Sequence, residues 1–264
     1  MDLGLKGKLA LVTGSTGGIG FSIAKVLAQE GVNVIINGRS KERVNDAIAQ
    51  LKKENVKGEL LSAPYDLSTK DGVNAISKAF PKVDILINNL GIYEIKKFEE
   101  ISDEDWLKMF EVNVLSGIRL SRYYFPLMLK NNLGRVVFIS SESALNVPAE
   151  MIHYGMTKTA QIAVARGLAE LTKGTKVTVN SVLPGPTYSE GVKEFIESIA
   201  KEKKVTAKQV EEDFFKTVRP SSLLQRFETT DEVAALVAFV CSEQSSAING
   251  SALRVEGGVV RSII

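Results

Sequence analysis

Three side chains in the middle of the chain have the types and spacing of proton-transfer machinery: Ser141, Tyr154 and Lys158. Tyr154 and Lys158 stand four apart in Tyr154-Gly155-Met156-Thr157-Lys158, and on a helix positions i and i+4 share a face. An ammonium beside a phenol favours phenolate, which lowers the tyrosine pKa from about 10 towards the range of a general acid/base. Tyr93 and Lys97 have the same spacing in a loop-like stretch and are read as a coincidence. Ser141 follows the apolar run Val136-Val137-Phe138-Ile139 closely, so its hydroxyl belongs at the carboxyl end of a buried strand. Ligands of open α/β sheets bind at that end. His153, the only histidine, abuts Tyr154, but one step along a helix turns it about 100° aside. A structural role is expected for it.

A second constellation opens the chain. Thr13-Gly14-Ser15-Thr16-Gly17-Gly18-Ile19-Gly20 follows the strand-like Lys8–Val12 and leads into an amphipathic segment ending at Gly31. Glycines between a strand and a helix let backbone amides approach a pyrophosphate, and the helix N-terminus adds favourable dipole charge. The spacing is not the commoner G-x-G-x-x-G. In this strand–turn–helix context Gly14, Ser15, Thr16, Gly18, Ile19 and Gly20 are the expected nucleotide cradle.

These residues need a frame, and the alternation of patterns supplies one. Strand-like runs fall near residues 8–13, 32–37, 58–64, 83–88, 135–140, 177–183 and 252–255. Helical patterns fall near 18–30, 41–54, 69–79, 103–130, 153–172 and 230–242. Strict β/α alternation predicts a doubly wound α/β fold, a seven-stranded parallel sheet with helices on both faces. Capping boxes are expected at Ser68–Asp71, Ser102–Asp105, Thr206–Gln209 and Thr229–Glu232. The alternation lapses only over residues 188–226, where 192–200 and 206–217 look helical. Leaving the carboxyl end of a strand, such an excursion is expected to cover a substrate site.

Composition narrows the class. The 264 residues, with no Pro/Gly/Ser-rich linker and no repeat, read as one domain, 1–264. Lys+Arg 33 against Asp+Glu 31 leaves +2, too balanced to advertise nucleic acid or an anionic membrane as partner. Cys241 is the only cysteine and follows an apolar run, so it reads as a buried small hydrophobe. No cluster has metal-ligand spacing, and no metal is expected. Met1–Lys6 lacks a cleavable leader pattern and no apolar run approaches membrane-spanning length, which makes a cytoplasmic location the expectation.

With both constellations placed, the chain resembles the short-chain dehydrogenase/reductase family in its compact single-domain branch. The matching residues are Thr13-Gly14-x-x-x-Gly18-x-Gly20, Asp66, Asn88-Asn89-Leu90-Gly91, Asn113, Ser141, Tyr154, Lys158 and Pro184-Gly185. Leu90 stands where the family usually has alanine, and Glu256 where it has aspartate. The resemblance implies a Rossmann-type sheet and a carbonyl/alcohol oxidoreductase. In that role Tyr154 gives the proton, Ser141 bonds the substrate oxygen, and Lys158 holds the nicotinamide ribose. Asn113 would position a water that feeds protons to the lysine. Asp66 and Leu67 would meet the adenine, Asn89 and Gly91 would line the cofactor, and Pro184 and Gly185 would lie at the carboxamide, with Thr187 or Ser189 able to bond it. The resemblance also implies a homo-oligomer, a tetramer paired through the helices starting at Asp103 and His153, with Met109, Phe110, Tyr124, Leu127, Ile162 and Val164 serving both sheet and neighbour.

The second strand ends Ile36-Asn37-Gly38-Arg39-Ser40. An NAD site of this kind wants a carboxylate about twenty residues past the glycine turn. Gly38, Arg39 and Ser40 stand there instead, and a guanidinium suits a 2′-phosphate, so NADP(H) is the expected cofactor. The apolar positions of residues 190–217 favour a mostly apolar carbonyl substrate. The alternatives at this stage are a 3-oxoacyl-thioester reductase of fatty-acid type and a cofactor-binding regulator on the same fold.

Overall fold

Aliphatic and β-branched runs become strands here because neighbours on both faces bury them. The computed structural model describes residues 2–263; Met1 and Ile264, the ends of the span expected to form one domain, lie outside the described residues. In chain order the elements are β1 (Leu9–Val12), α1 (Gly18–Gln29), β2 (Asn33–Gly38), α2 (Lys41–Leu51), β3 (Leu60–Pro64), α3 (Lys70–Ala79) and β4 (Ile85–Asn88). There follow α4 (Asp103–Phe110), α5 (Ser116–Asn131), β5 (Gly134–Ile139), α6 (Ile152–Glu170) and β6 (Val177–Pro184). A short strand β7 (Thr187–Tyr188), α7 (Glu190–Lys203), α8 (Ala207–Thr217), the short β8 (Glu228–Thr229), α9 (Thr230–Cys241) and β9 (Ala252–Val255) complete it.

The main sheet has seven parallel strands in the order β3-β2-β1-β4-β5-β6-β9. Every residue of β4, β5 and β6 is buried, as expected of central strands covered on both sides. Alternate side chains feed two cores. Ala10 and Val12 pack with α1, α2 and α9 through Ile23, Leu27, Val44 and Val237. Leu11 and Phe138 pack with α3, α5 and α6 through Ile76, Leu120, Met128 and Ala165. The chain is therefore a single α/β domain, as its alternation predicted.

Three local expectations are corrected. The helix expected over 103–130 is interrupted: a π-helical turn, Glu111–Leu115, separates α4 from α5 and carries Asn113. Helix α3 is capped by Thr69, whose hydroxyl accepts from Gly72 N–H. Ser68 instead bonds the Asp66 carboxylate through both hydroxyl (2.6 Å) and N–H (3.0 Å), because a carboxylate two residues back outcompetes the helix end. The boxes at Ser102, Thr206 and Thr229 form as expected. Among the residues expected to face a neighbour, Met109 and Tyr124 point inward, and the Tyr124 hydroxyl donates to Phe80 O (2.8 Å). Phe110, also among them, lies on the outside of α4 with Leu107, and Tyr123 lies on the outside of α5.

Helices α7 and α8 stand off the sheet with a small core of their own, Ile196, Phe215 and Phe227, on which Phe214 stacks at 5.0 Å. The β7–β8 pair ties this excursion back to the body.

Candidate active site

Ser140 and Ser141 leave the end of β5 in succession and divide two tasks. The Ser140 hydroxyl donates to Lys158 O (2.8 Å), which fastens α6 to the strand. Ser141 turns the other way, accepts from Ser143 N–H (3.1 Å), and lies beside the Tyr154 phenol. Lys158 is buried; its Nζ donates to Ile139 O (3.0 Å) and Gln161 Oε1 (3.3 Å) and lies 5.5 Å from the centre of the Tyr154 ring. The structure thus gathers Ser141, Tyr154 and Lys158.

Their electrostatics differ from the sequence-based expectation. Burial pushes Tyr154 up to about 12, with the Ser141 hydrogen bond pulling the other way. Burial likewise pushes Lys158 down to about 8. The ammonium spends its bonds on a backbone carbonyl and an amide, so in this state desolvation outweighs its attraction for a phenolate. The phenol is therefore raised by its enclosure rather than lowered by the neighbouring ammonium.

Asn113 is buried in the π-helical turn and works as a staple. Its Oδ1 accepts from Ile92 N–H (2.7 Å), and its Nδ2 donates to Ile92 O (2.9 Å) and Thr157 Oγ1 (3.0 Å). The loop after β4 is thereby tied to α6. The main-chain carbonyl of Asn113 accepts from Gln161 Nε2 at 2.5 Å.

The glycine turn has the properties of a phosphate cradle. Gly14 and Gly18 have φ of +61° and +56°, a region that favours glycine. A Cβ on Gly20 would lie 2.5 Å from both Gly14 O and Asn89 Nδ2. The α1 N-terminus begins at Gly17 with no side-chain cap and no acidic residue in its first turn, whereas α2, α4 and α9 have both and α8 is capped by Thr206. Its amides are left for an anion. Thr16 borders β2, its methyl 2.6 Å from where a Gly38 Cβ would stand, so no side chain fits at 38. Ile19 is half-buried against the first core.

Other expected cofactor residues are placed less directly. Ser15 is fully buried; its hydroxyl donates to Val12 O and accepts from Asn37 N–H, so its side chain takes no part in the cradle, a correction to its expected role. Leu67 is 1% exposed and packs its side chain in the second core. Asn89 binds the turn itself, donating to Thr13 O (2.9 Å) and Gly14 O (3.3 Å). Gly91 opens beside Asn113 and Lys158; a Cβ there would come within 3.6 Å of Nζ. Arg39 is exposed, and Ser40 caps α2 by accepting from Arg43 N–H (3.4 Å). Asp66 borders the same edge with Oδ1 engaged by Ser68.

At the other end of the site, Pro184 closes β6. Gly185 N–H donates to Val255 O (3.0 Å) and Glu228 Oε2 (3.2 Å), and the Thr187 hydroxyl donates to Gly185 O (2.9 Å). Burial pushes Glu228 up to about 7.

Between these groups and α7–α8 lies a cavity of about 710 Å³ lined by Ser141, Tyr154 and Thr187 on one side and by Val192, Ile196 and Phe214 on the other. The expected cover is thus the cavity's far wall. Tyr93, set aside as a coincidence, packs its ring edge-on to Tyr154 at 6.4 Å, while Lys97 pairs outside with Glu100 (3.7 Å). Arg219 and Glu142 form a buried ion pair (3.1 Å) in the same cavity wall. His153 is enclosed against Trp106 (5.9 Å), and burial holds it below its ordinary pKa; it is a neutral packing residue. Cys241 is buried, its thiol pushed up to about 12.

Sequence reasoning did not single out Asn37, Gln161, Glu142 or Arg219. Asn37 Oδ1 accepts from Gly14 N–H while Nδ2 donates to Ala63 O and Tyr65 O, a role that only neighbouring strands reveal. Gln161, at i+3 from Lys158 on α6, carried a usable signal in its spacing.

Among the described residues no group of acidic, cysteine or histidine side chains could hold a metal ion, and no helix is long and apolar enough to cross a membrane. The chain is similar to several known proteins over its whole length. It is 49% identical over 263 residues to an uncharacterized oxidoreductase of Bacillus subtilis, YvaG, with 100% of each chain covered. It is 34% identical to the 3-oxoacyl-[acyl-carrier-protein] reductase FabG of Aquifex aeolicus, over 98% of this chain and 100% of that protein. Among solved structures, L-sorbose reductase from Gluconobacter frateurii, complexed with NADPH and L-sorbose, superposes with a TM-score of 0.93 at 28% identity, covering 100% of both chains. Residues 8–200 match the family model described as short chain dehydrogenase. With the glycine cradle, the Ser141–Tyr154–Lys158 cluster and the seven-stranded sheet in their expected places, the chain belongs to the short-chain dehydrogenase/reductase family of oxidoreductases.

Proposed function

We propose that the protein is an NADP(H)-dependent reductase of ketones, working through Tyr154 as general acid/base. The observation that carries this reading is the convergence of Ser141, Tyr154 and buried Lys158 on a cavity of about 710 Å³ whose opposite wall is apolar. The residues present fit the cofactor: a helix N-terminus with no side-chain cap and no acidic residue in its own first turn, behind positive-φ glycines, suits a pyrophosphate, although the Glu190 carboxylate borders Gly17. Arg39 at the end of β2 suits a 2′-phosphate, and the similarity to an NADPH-complexed reductase supports it. Bound there, the reduced nicotinamide supplies the hydride. Lys158 holds the ribose hydroxyls, and Thr187 holds the carboxamide.

Ser141 donates a hydrogen bond to the substrate carbonyl oxygen as a preorganised dipole. Tyr154, protonated at neutral pH because burial raises its pKa to about 12, delivers its proton to that oxygen as negative charge develops. Asn113 keeps the loop after β4 against α6, so that Lys158 and Tyr154 share one rigid face.

Val192, Phe195, Ile196 and Phe214 on the far wall favour a medium-sized, mostly apolar ketone. The Glu142–Arg219 pair, and the likeness to L-sorbose reductase, favour a polyhydroxylated ketone instead. NADPH oxidation against matched alkyl ketones, keto sugars and 3-oxoacyl thioesters separates these. The expected order puts alkyl ketones first. A keto sugar reduced with the higher kcat/KM overturns the apolar reading, and no oxidation with any ketone overturns the function.

We also propose a homo-oligomer joined through α4 and α5. Leu107 and Phe110 on α4 and Tyr123 on α5 are 69%, 37% and 38% exposed, apolar surface of the kind that closed symmetric assemblies cover. Light scattering is expected to give about four times the 28.7 kDa chain mass; the mass of a single chain at micromolar concentration rules the assembly out.

A further inference from the structure

Gln161 lies on α6 one turn beyond Lys158 and is 2% exposed. Burying an amide is costly unless both of its ends are bonded. Both are: Oε1 accepts from Lys158 Nζ at 3.3 Å, and Nε2 donates to the Asn113 carbonyl at 2.5 Å. That carbonyl belongs to the π-helical turn Glu111–Leu115, where i→i+5 bonding interrupts the α-helical ladder between α4 and α5. The amide thus takes the hydrogen-bonding position at which the family resemblance would put a bridging water.

We propose that Gln161 is a positioning residue that clamps the Lys158 ammonium between α6 and the Asn113 turn, so that the lysine presents its one remaining N–H to the cofactor ribose. An ammonium has three donors; Ile139 O and Gln161 Oε1 take two of them. A lysine stem left to itself samples many rotamers, and the clamp removes that freedom before the cofactor arrives. The inference rests on the proposed reductase function for its catalytic meaning, although the clamp itself is a feature of the chain alone.

The charged surroundings keep the test simple. On α6 Tyr154 is the titratable neighbour, and His153 faces Trp106 instead. Tyr93 from the loop after β4 and Glu142 from the turn after β5 act on Tyr154, while Lys158 is shifted by burial alone. Gln161 is therefore the principal polar group through which its ammonium can be tuned.

The test uses the full chain with Gln161→Leu and Gln161→Glu, in two measurements. The first follows Lys158 by NMR of 13Cε-labelled lysine through a pH titration of the cofactor-free protein. The second takes the pH profile of kcat/KM with NADPH. Leu withdraws an acceptor from the charged form and is expected to move the lysine titration down by about one pH unit, with kcat falling about tenfold. Glu sets a carboxylate against the ammonium and is expected to move the titration up by about one unit or more. The alkaline limb of the profile follows in each direction. A role in packing alone lowers Tm without opposite shifts; coincident titrations in wild type and both variants, or shifts of the same sign, overturn the proposal. If Leu fails to fold, an unshifted Glu variant overturns it by itself. Absence of ketone reduction by the wild type removes the proposed function, while the lysine titration still decides the clamp.

Discussion

Tyr154→Phe is expected to lower kcat by about 10²–10⁴-fold, the range of a positioned general acid. The substitution removes one hydroxyl from a half-buried ring and leaves the edge contact with Tyr93 in place. NADPH affinity is expected to stay within a few-fold, because the amides of the glycine turn and Lys158 are untouched. Single-turnover kinetics with the best ketone, paired with cofactor fluorescence titration, measures both quantities. Turnover within a few-fold of wild type takes Tyr154 out of the chemistry. The pH dependence has a definite sign. A phenol pushed up to about 12 remains protonated throughout the neutral range, so reduction should not decline from loss of this proton below that pH. Lys158, pushed down to about 8, instead loses its charge as pH rises past neutrality in the cofactor-free enzyme. The alkaline limb of kcat/KM should accordingly report the lysine, since that limb reflects the free enzyme.

The second large effect concerns cofactor choice. Unmodified protein is expected to bind NADPH about ten- to a hundred-fold more tightly than NADH, the worth of a charge-assisted contact to phosphate. Arg39→Ala is expected to remove that preference by weakening NADPH and leaving NADH unchanged. The guanidinium is exposed and makes no ion pair among the described residues, so its loss disturbs little packing. Restoring an NAD-type carboxylate at position 38 is not a clean alternative, because a Cβ there would meet the Thr16 methyl at 2.6 Å. Equal dissociation constants for the two cofactors in the unmodified protein refute the assignment.

The parts legible in the sequence are those fixed by short-range chemistry. Strand-like runs alternating with helical patterns marked all seven strands of the main sheet, near-continuously apolar in the central strands because these are covered on both faces. Three of the four capping boxes formed because their partners lie three residues apart. The Tyr154–Lys158 pair shares a helix face by geometry alone, and the glycine turn had to sit between β1 and α1. Where side chains found partners that spacing did not suggest, distant neighbours decided: the Ser15 hydroxyl is spent on β2 and the Leu67 side chain on the second core. Tyr93 entered the site because the loop after β4 folds back against α6.

By itself, then, the sequence determined the β/α alternation of the main sheet, which follows from local periodicity, and carried the motifs by which the chain resembles its family. Only the tertiary structure decided their electrostatic state. Desolvation depends on what encloses a group, and here enclosure raises the phenol and lowers the ammonium against the attraction between them. It also decided which carbonyl and amide hold Lys158, since Ile139 and Asn113 lie 19 and 45 positions away along the chain and reach it, directly or through Gln161, only when β5, α6 and the π-helical turn are packed together.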